Sequence, residues 1–99
     1  LSEGVQIYYV SPDTLAFPIR LRTREVGDRI KLPGMSNSKR LSRLFIDEKV
    51  PLTKRDDWPL IVDAHNEVLA VIGLRVSSNF SRTRRAGDDY VFVVESKAD

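Results

Sequence analysis

The chain has 99 residues, enough for one small domain, and its 41% hydrophobic and 30% charged residues are the ordinary balance of a soluble globular chain. It holds no cysteine and no apolar run near the roughly 18 residues that a membrane helix needs. Disulfides, thiolate metal sites and a helical membrane span are therefore excluded. Net charge is only +2, but residues 20–43 carry eight basic side chains against Glu25 and Asp28, and residues 75–85 carry four arginines and no acid. Segregated charge of this kind concentrates positive potential on part of the surface, and polyanions are its natural partner.

The opening "LSEGVQIYYV" has no basic segment and no small-residue cleavage site, so it does not read as a signal peptide. Leu1 is not an initiator. The expectation is one domain over residues 1–99, cut from a longer intracellular protein.

Val5–Val10 has the β-branched and aromatic density of a strand, and "SPDT" breaks it. Ile19, Leu21 and Thr23 alternate with Arg20, Arg22 and Arg24, the period of a half-buried strand with its arginines facing out. "EVGD" supplies a turn in which Gly27 is free to take positive φ. Ile30 and Leu32 continue inward, Arg29 and Lys31 outward, until Pro33–Gly34 ends the strand. A loop with capping candidates Ser36, Asn37 and Ser38 leads into "KRLSRLFIDEK", the one convincing helix. There Leu41, Leu44 and Phe45 form an apolar stripe, with Lys39 and Arg43 opposite and Arg40 on the flank.

Pro51 stops that helix, and Leu52–Pro59 reads as a loop anchored by Trp58. "LIVDA" and "EVLAVIGLRV" read as strands joined by a turn at His65–Asn66. Residues 77–89 form a polar, basic connection, and "YVFVVE" is the last strand. The sum is an α+β fold: a β-rich antiparallel or mixed sheet with one main amphipathic helix packed on or beside it.

Catalytic signals are absent from the sequence. His65 is the sole histidine and stands in a turn, so neither a histidine metal site nor a Ser-His pair can form. The acid pairs Asp47–Glu48, Asp56–Asp57 and Asp88–Asp89 are neighbours in sequence, as in solvated turns and helix ends. No glycine-rich phosphate loop occurs. What remains is basic. A lone arginine row can pair with acids on a neighbouring strand, but a basic helix close to the same hairpin makes a phosphate-binding surface the stronger reading. Since the aromatic residues look like core rather than stacking platforms, duplex RNA read through backbone and shape fits better than splayed single strands.

The ordered series "RTREVGDR" at Arg22–Arg29, "KLPG", "SKRLSRLFIDEKVP" at Ser38–Pro51, Arg55, "WPLI" at Trp58–Ile61 and "VIGLR" at Val71–Arg75 resembles the C-terminal domain of tRNA(Ile)-lysidine synthetases, over about residues 18–76. The resemblance implies a partly barrel-like β-rich fold with helical cover, shared with a domain of the phenylalanyl-tRNA synthetase β-subunit. It implies a parent ATP-dependent ligase that adenylates the wobble cytidine of tRNA(Ile) and then attaches lysine, forming lysidine in the cytoplasm. ATP, with magnesium, belongs to an N-terminal PP-loop domain whose Ser-Gly-Gly-x-Asp-Ser motif this chain lacks. The implied partners are the tRNA(Ile) acceptor stem and the enzyme's own catalytic domain. A homodimer is allowed, and no membrane is involved.

Carried over by position, Arg22, Arg24, Arg29, Lys39, Arg40, Arg43 and Arg55 match basic positions of the family pattern, and Lys31 and Arg75 join them as candidate RNA-binding residues. Gly27, Asp28, Pro51 and Gly73 are assigned to structure, Asp28 as a bridge between arginines or a cap on the turn. Arg82, Arg84 and Arg85 are basic by composition alone. The rival reading, from another class, is a protein-interaction or dimerisation domain whose basic strand meets an acidic partner. A free-standing enzyme is the weakest.

Overall fold

The apolar runs Leu60–Val62 and Val68–Ile72 are buried along their whole length, with no polar residue interleaved. A strand that reads this way must be covered on both faces. The computed structural model, which describes residues 4–84 and 90–96, shows what covers them.

In chain order the elements are β1 (Gly4–Val10), a 3-10 turn (Pro12–Thr14), β2 (Arg20–Arg22), β3 (Arg29–Ile30), β4 (Lys39–Arg40), α1 (Leu41–Asp47), α2 (Leu52–Arg55), β5 (Leu60–Val62), β6 (Val68–Val71), β7 (Arg75–Val76), β8 (Phe80–Ser81) and β9 (Tyr90–Ser96). The larger sheet runs β2-β5-β6-β3-β4, with β7 also paired to β6. Among the described residues of this sheet only β3 and β6 pair in parallel; β2–β5, β5–β6, β3–β4 and β6–β7 are antiparallel. A second sheet, β8-β1-β9, is antiparallel throughout, and β1 and β9 pair from Gly4↔Ser96 to Val10↔Tyr90.

Two apolar clusters meet on β5 and β6. Leu60, Val62, Val68 and Val71 pack with Leu41, Leu44, Phe45 and Val50, the helical side. Ile61, Leu69, Ala70 and Ile72 pack with Tyr8, Val10 and Phe80, the side of the small sheet. The larger sheet is therefore the middle layer, between the helices and the small sheet. This is the sheet-rich α+β fold expected, with mixed strand directions. It has two open sheets, and the described residues show no closed barrel.

The structure departs from the sequence reading in several places: β2 and β3 do not pair as the expected hairpin but take separate places in the larger sheet, and Phe80–Ser81 form β8 inside the expected connection. Lys39 and Arg40 lie in β4, so α1 begins only at Leu41; its stripe of Leu41, Leu44 and Phe45 is buried as expected. Leu52–Arg55 form the short helix α2 rather than a loop. The long strand expected at Glu67–Val76 is broken by a turn in which Leu74 N–H donates to the Val71 carbonyl at 2.9 Å and Gly73 holds φ +76°. The Gly73 N–H donates to the buried Tyr8 hydroxyl at 2.9 Å, tying this turn to the small sheet.

Pro51 follows a helix end closed by Val50 N–H to Phe45 O at 2.9 Å and Lys49 N–H to Ile46 O at 3.0 Å. Lys49 takes the left-handed position, φ +58°, where glycine is usual, and Val50 packs back onto Phe45 in the core.

Candidate nucleic-acid interface

Of the arginine row, Arg20 is exposed as expected, whereas Arg22 and Arg24 are half-buried, which corrects the expectation that the whole row faces outward. The pairings Arg20↔Val62 and Arg22↔Leu60 put both arginines on the sheet face that Val62 and Leu60 turn to the helical layer. Leu21, opposite Ile61, points to the other face, but on edge strand β2 it lies beyond the small sheet's cover and is 59% exposed. The alternation is present. Its reading as apolar-in and charged-out fails because Arg22 lies on the face turned to the helical layer while Leu21 lies on the face left open at the sheet edge.

Each arginine has a partner within the chain. Arg22 makes a two-pronged bond to Asp28, Nη1 to Oδ2 at 2.9 Å and Nη2 to Oδ1 at 2.8 Å, with side chains 8% and 7% exposed. Its Nε donates to Asn66 Oδ1 at 3.1 Å, and Nη1 also donates to the Thr23 carbonyl. Arg20 reaches the same Asn66 oxygen at 2.7 Å. Arg24 binds Asp56 Oδ1 through Nε at 2.9 Å and Nη2 at 2.8 Å, and its guanidinium lies 5.6 Å from the Phe45 ring centroid.

The hydrogen bond from Arg22 to Asp28 holds the Arg22 guanidinium above its ordinary pKa, outweighing burial. Burial pushes the Asp28 carboxyl up, but the bonds from Arg22 and the Glu25 N–H, with the arginine's charge, outweigh it and hold Asp28 below the usual carboxylate range.

This ion pair fixes the turn above it. The Glu25 N–H donates to Asp28 Oδ2 at 2.7 Å, and the Asp28 N–H returns to the Glu25 carbonyl at 3.2 Å. Gly27 sits at φ +88°, and a Cβ there would meet nothing within 4 Å, so backbone conformation rather than space demands the glycine. The Asp28 carbonyl then accepts the Leu41 N–H at 2.9 Å, locking the turn to the start of α1.

Between the turn, β3, β4 and α1 lies an open hollow of about 590 Å³, lined by Arg24, Arg29 and Arg40, by the acids Glu25, Asp28 and Asp56, and by Val26. Arg29 and Arg40 are direct neighbours across β3 and β4, an unfavourable pairing of like charges unless an anion lies between them. Ser38 steadies Arg29, its hydroxyl accepting from Nε at 2.6 Å and its carbonyl from Nη2 at 2.7 Å. Arg29 also borders a second hollow of about 480 Å³ with Lys31 on its wall. Among the described residues neither Arg40 nor Lys31 has an ion-pair partner.

The other candidates stand elsewhere. Lys39 and Arg43 both bind Asp47, and the Lys39 hydrogen bond leads in holding that carboxyl below its ordinary range. Arg55 donates from Nε to the Val50 carbonyl at 2.8 Å and secures the link between α1 and α2. Arg75 pairs with Glu48 at 3.5 Å. None of these four lines either hollow. Arg82 and Arg84 are exposed, and Arg85 lies outside the described residues. Sequence reading missed Asn66, Ser38 and Asp56 as arginine partners. Asn66, at φ +66° in the turn expected for it, was visible only as a turn former.

The molecule is a small, sheet-rich α+β domain in which arginines and acids interleave around an open surface hollow. Residues 19–95 match the family model described as the TilS substrate C-terminal domain, and the chain belongs to that family. It is 47% identical over 73 residues to the tRNA(Ile)-lysidine synthase of Bacillus licheniformis, covering 74% of this chain and 15% of that protein. It is 45% identical over 74 residues to the Bacillus subtilis enzyme, covering 75% and 16%, and 37% identical over 90 residues to that of Geobacillus kaustophilus, covering 91% and 19%. The chain thus spans under a fifth of the length of these relatives. A solved structure described as a TilS C-terminal domain superposes with a TM-score of 0.71 at 32% identity, over 94% of this chain and 70% of that one.

Proposed function

We propose that this chain is the tRNA-gripping C-terminal domain of a tRNA(Ile)-lysidine synthase, and that Arg24, Arg29, Lys31 and Arg40 hold the phosphate backbone of the tRNA acceptor stem. The observation that carries this reading is the convergence of Arg24, Arg29 and Arg40 on one open hollow, with Lys31 on the next. A phosphate between Arg29 and Arg40 would turn their mutual repulsion into shared attraction. Arg22 and Asp28 serve this surface from beneath, by holding the turn that carries Arg24 into Arg29. On this reading, ATP, magnesium and the lysine-attaching chemistry belong to the rest of a cytoplasmic enzyme, and this domain helps to choose and orient its tRNA.

The test is titration of the chain with a tRNA(Ile) acceptor-stem minihelix and with a scrambled duplex, at several salt concentrations. The expected result is tighter binding to the cognate stem and an affinity that falls steeply and log-linearly with salt. Absence of salt-dependent binding to either duplex would overturn the reading.

A second reading, protein docking, is favoured by a separate surface. Val5, Ile7, Val91 and Val93 are all at least 43% exposed, and Ile7 pairs with Val93 on one face of the small sheet. Concentration-dependent self-association in sedimentation, with no RNA binding, would bring that reading forward.

A further inference from the structure

We infer that Val26 is the side chain that enters the groove of the bound RNA duplex and packs on its sugar and base edges, so that it reads duplex shape where the arginines only hold phosphate. The inference rests on the phosphate-gripping role proposed above and assigns a contact of a different kind.

Val26 is 107% exposed, as open to water as in an extended chain. A lone apolar residue on a surface is ordinary and carries no meaning by itself. Three observations set this one apart. It stands on the rim of the hollow that Arg24, Arg29 and Arg40 line. Its turn is rigid: Glu25 and Asp28 bond to each other through 2.7 Å and 3.2 Å contacts, and the buried Arg22 grips the Asp28 carboxylate from below. A fixed tip loses little freedom on binding, so its contact energy is retained. The third observation is chemical. The residue on this rim, next to Glu25, is β-branched and apolar, and it offers neither charge nor hydrogen bond to a phosphate.

That combination matches the minor groove of A-form RNA. The groove is wide and shallow, and ribose and base edges are reachable between its two phosphate rows. Cations on either side of a projecting apolar tip can meet the phosphates while the tip lies on the groove floor, much as minor-groove proteins use apolar side chains on DNA. Duplex DNA presents a narrower, deeper minor groove, so the same tip fits it less well.

The experiment compares wild type, Val26→Ala, Val26→Ser and Arg40→Ala on a short fluorescein-labelled RNA hairpin and on the DNA hairpin of the same sequence, across a salt series. Losing the buried valine methyls should weaken RNA binding by about fivefold, with serine at least as damaging as alanine. The salt slope and the melting temperature should stay at their wild-type values, and the preference for RNA over DNA should shrink. Arg40→Ala should instead flatten the salt slope by about one. If Val26→Ala binds RNA as tightly as wild type while Arg40→Ala is impaired, the groove contact is overturned and the phosphate reading stands. If wild type shows no salt-dependent RNA binding, the phosphate reading fails and this inference fails with it.

Discussion

Arg22 and Arg40 are both basic residues read from the sequence as candidate RNA contacts, and the fold treats them in opposite ways. Arg22 is sealed under a turn, where its guanidinium serves Asp28, Asn66 and a carbonyl. Arg40 stands exposed beside Arg29, without an ion-pair partner among the described residues. Arg24 is intermediate, bound to an exposed acid and lying over Phe45. An arginine's use is therefore decided by what covers it. A covered guanidinium must satisfy its donors within the protein and then becomes part of the scaffold. An uncovered one keeps its charge for an anion.

The largest effect expected from this contrast is on stability. Arg22→Ala leaves a buried Asp28 carboxylate without its partner and should cost about 3 kcal/mol, or on the order of 15 °C in melting temperature for a chain this size. Arg40→Ala should fall within about 0.5 kcal/mol of wild type. Denaturant melts of the two variants test this directly, and equal destabilisation would erase the distinction between them.

The next effect is on acid stability. Asp28 is held below its ordinary pKa in the folded state, so the folded chain favours the carboxylate. The stability this contributes is fully present above the unfolded aspartate value of about 3.9. It is lost as pH falls from there through the lowered folded value. Arg22 is raised and stays charged throughout, so it adds no slope of its own. Asp28→Asn should be less stable at neutral pH and show a shallower acid limb. An unchanged acid limb would mean that the pair contributes nothing beyond packing.

Much of this was legible in the sequence, and the failures that bear on the site concern what covers and what partners the charged side chains. The strand and helix periods placed β1, β5, β9 and the stripe of α1, and the buried core residues Ile30, Leu32, Leu41, Leu44 and Phe45 follow from them. Ordered residue matches over Arg22–Arg75 carried the family. Hidden from the sequence was which layer lies over which face. Alternation says that Arg20, Arg22 and Arg24 share a side, but only the three-layer packing shows that Arg22 and Arg24 are partly covered there while Arg20 stays exposed. Asp56 and Asn66 are 32 and 44 residues from the arginines Arg24 and Arg22 that they bind, and no local pattern announces such pairs. Lys39 and Arg43 were read as RNA-binding candidates and Asp47 as part of a solvated acid pair, yet Asp47 binds both.

A milder effect should appear at the exposed end of the contrast. Removing Arg40 takes one cation from the hollow, so affinity for an acceptor-stem duplex should drop about threefold to tenfold and the salt slope should flatten by about one. Stability should not follow. A loss of affinity at unchanged slope would place Arg40 outside the phosphate contacts and confine the grip to Arg24, Arg29 and Lys31.

The smallest effect belongs to the intermediate arginine. Asp56 is 82% exposed and holds Arg24 through one oxygen, a surface pair worth about 1 kcal/mol or less. In the free chain that carboxylate occupies Arg24 donors that a phosphate would use. Asp56→Asn removes the negative charge that pairs with Arg24, one of three acids lining the hollow, and leaves Phe45 to support the guanidinium from below. Stability should fall by no more than a few tenths of a kcal/mol, and RNA affinity should rise about twofold to threefold at low salt, the gain fading as salt increases. A variant that binds RNA more weakly would show that Asp56 positions Arg24 for the phosphate instead of competing with it, and would move Arg24 to the scaffold side of the contrast with Arg22.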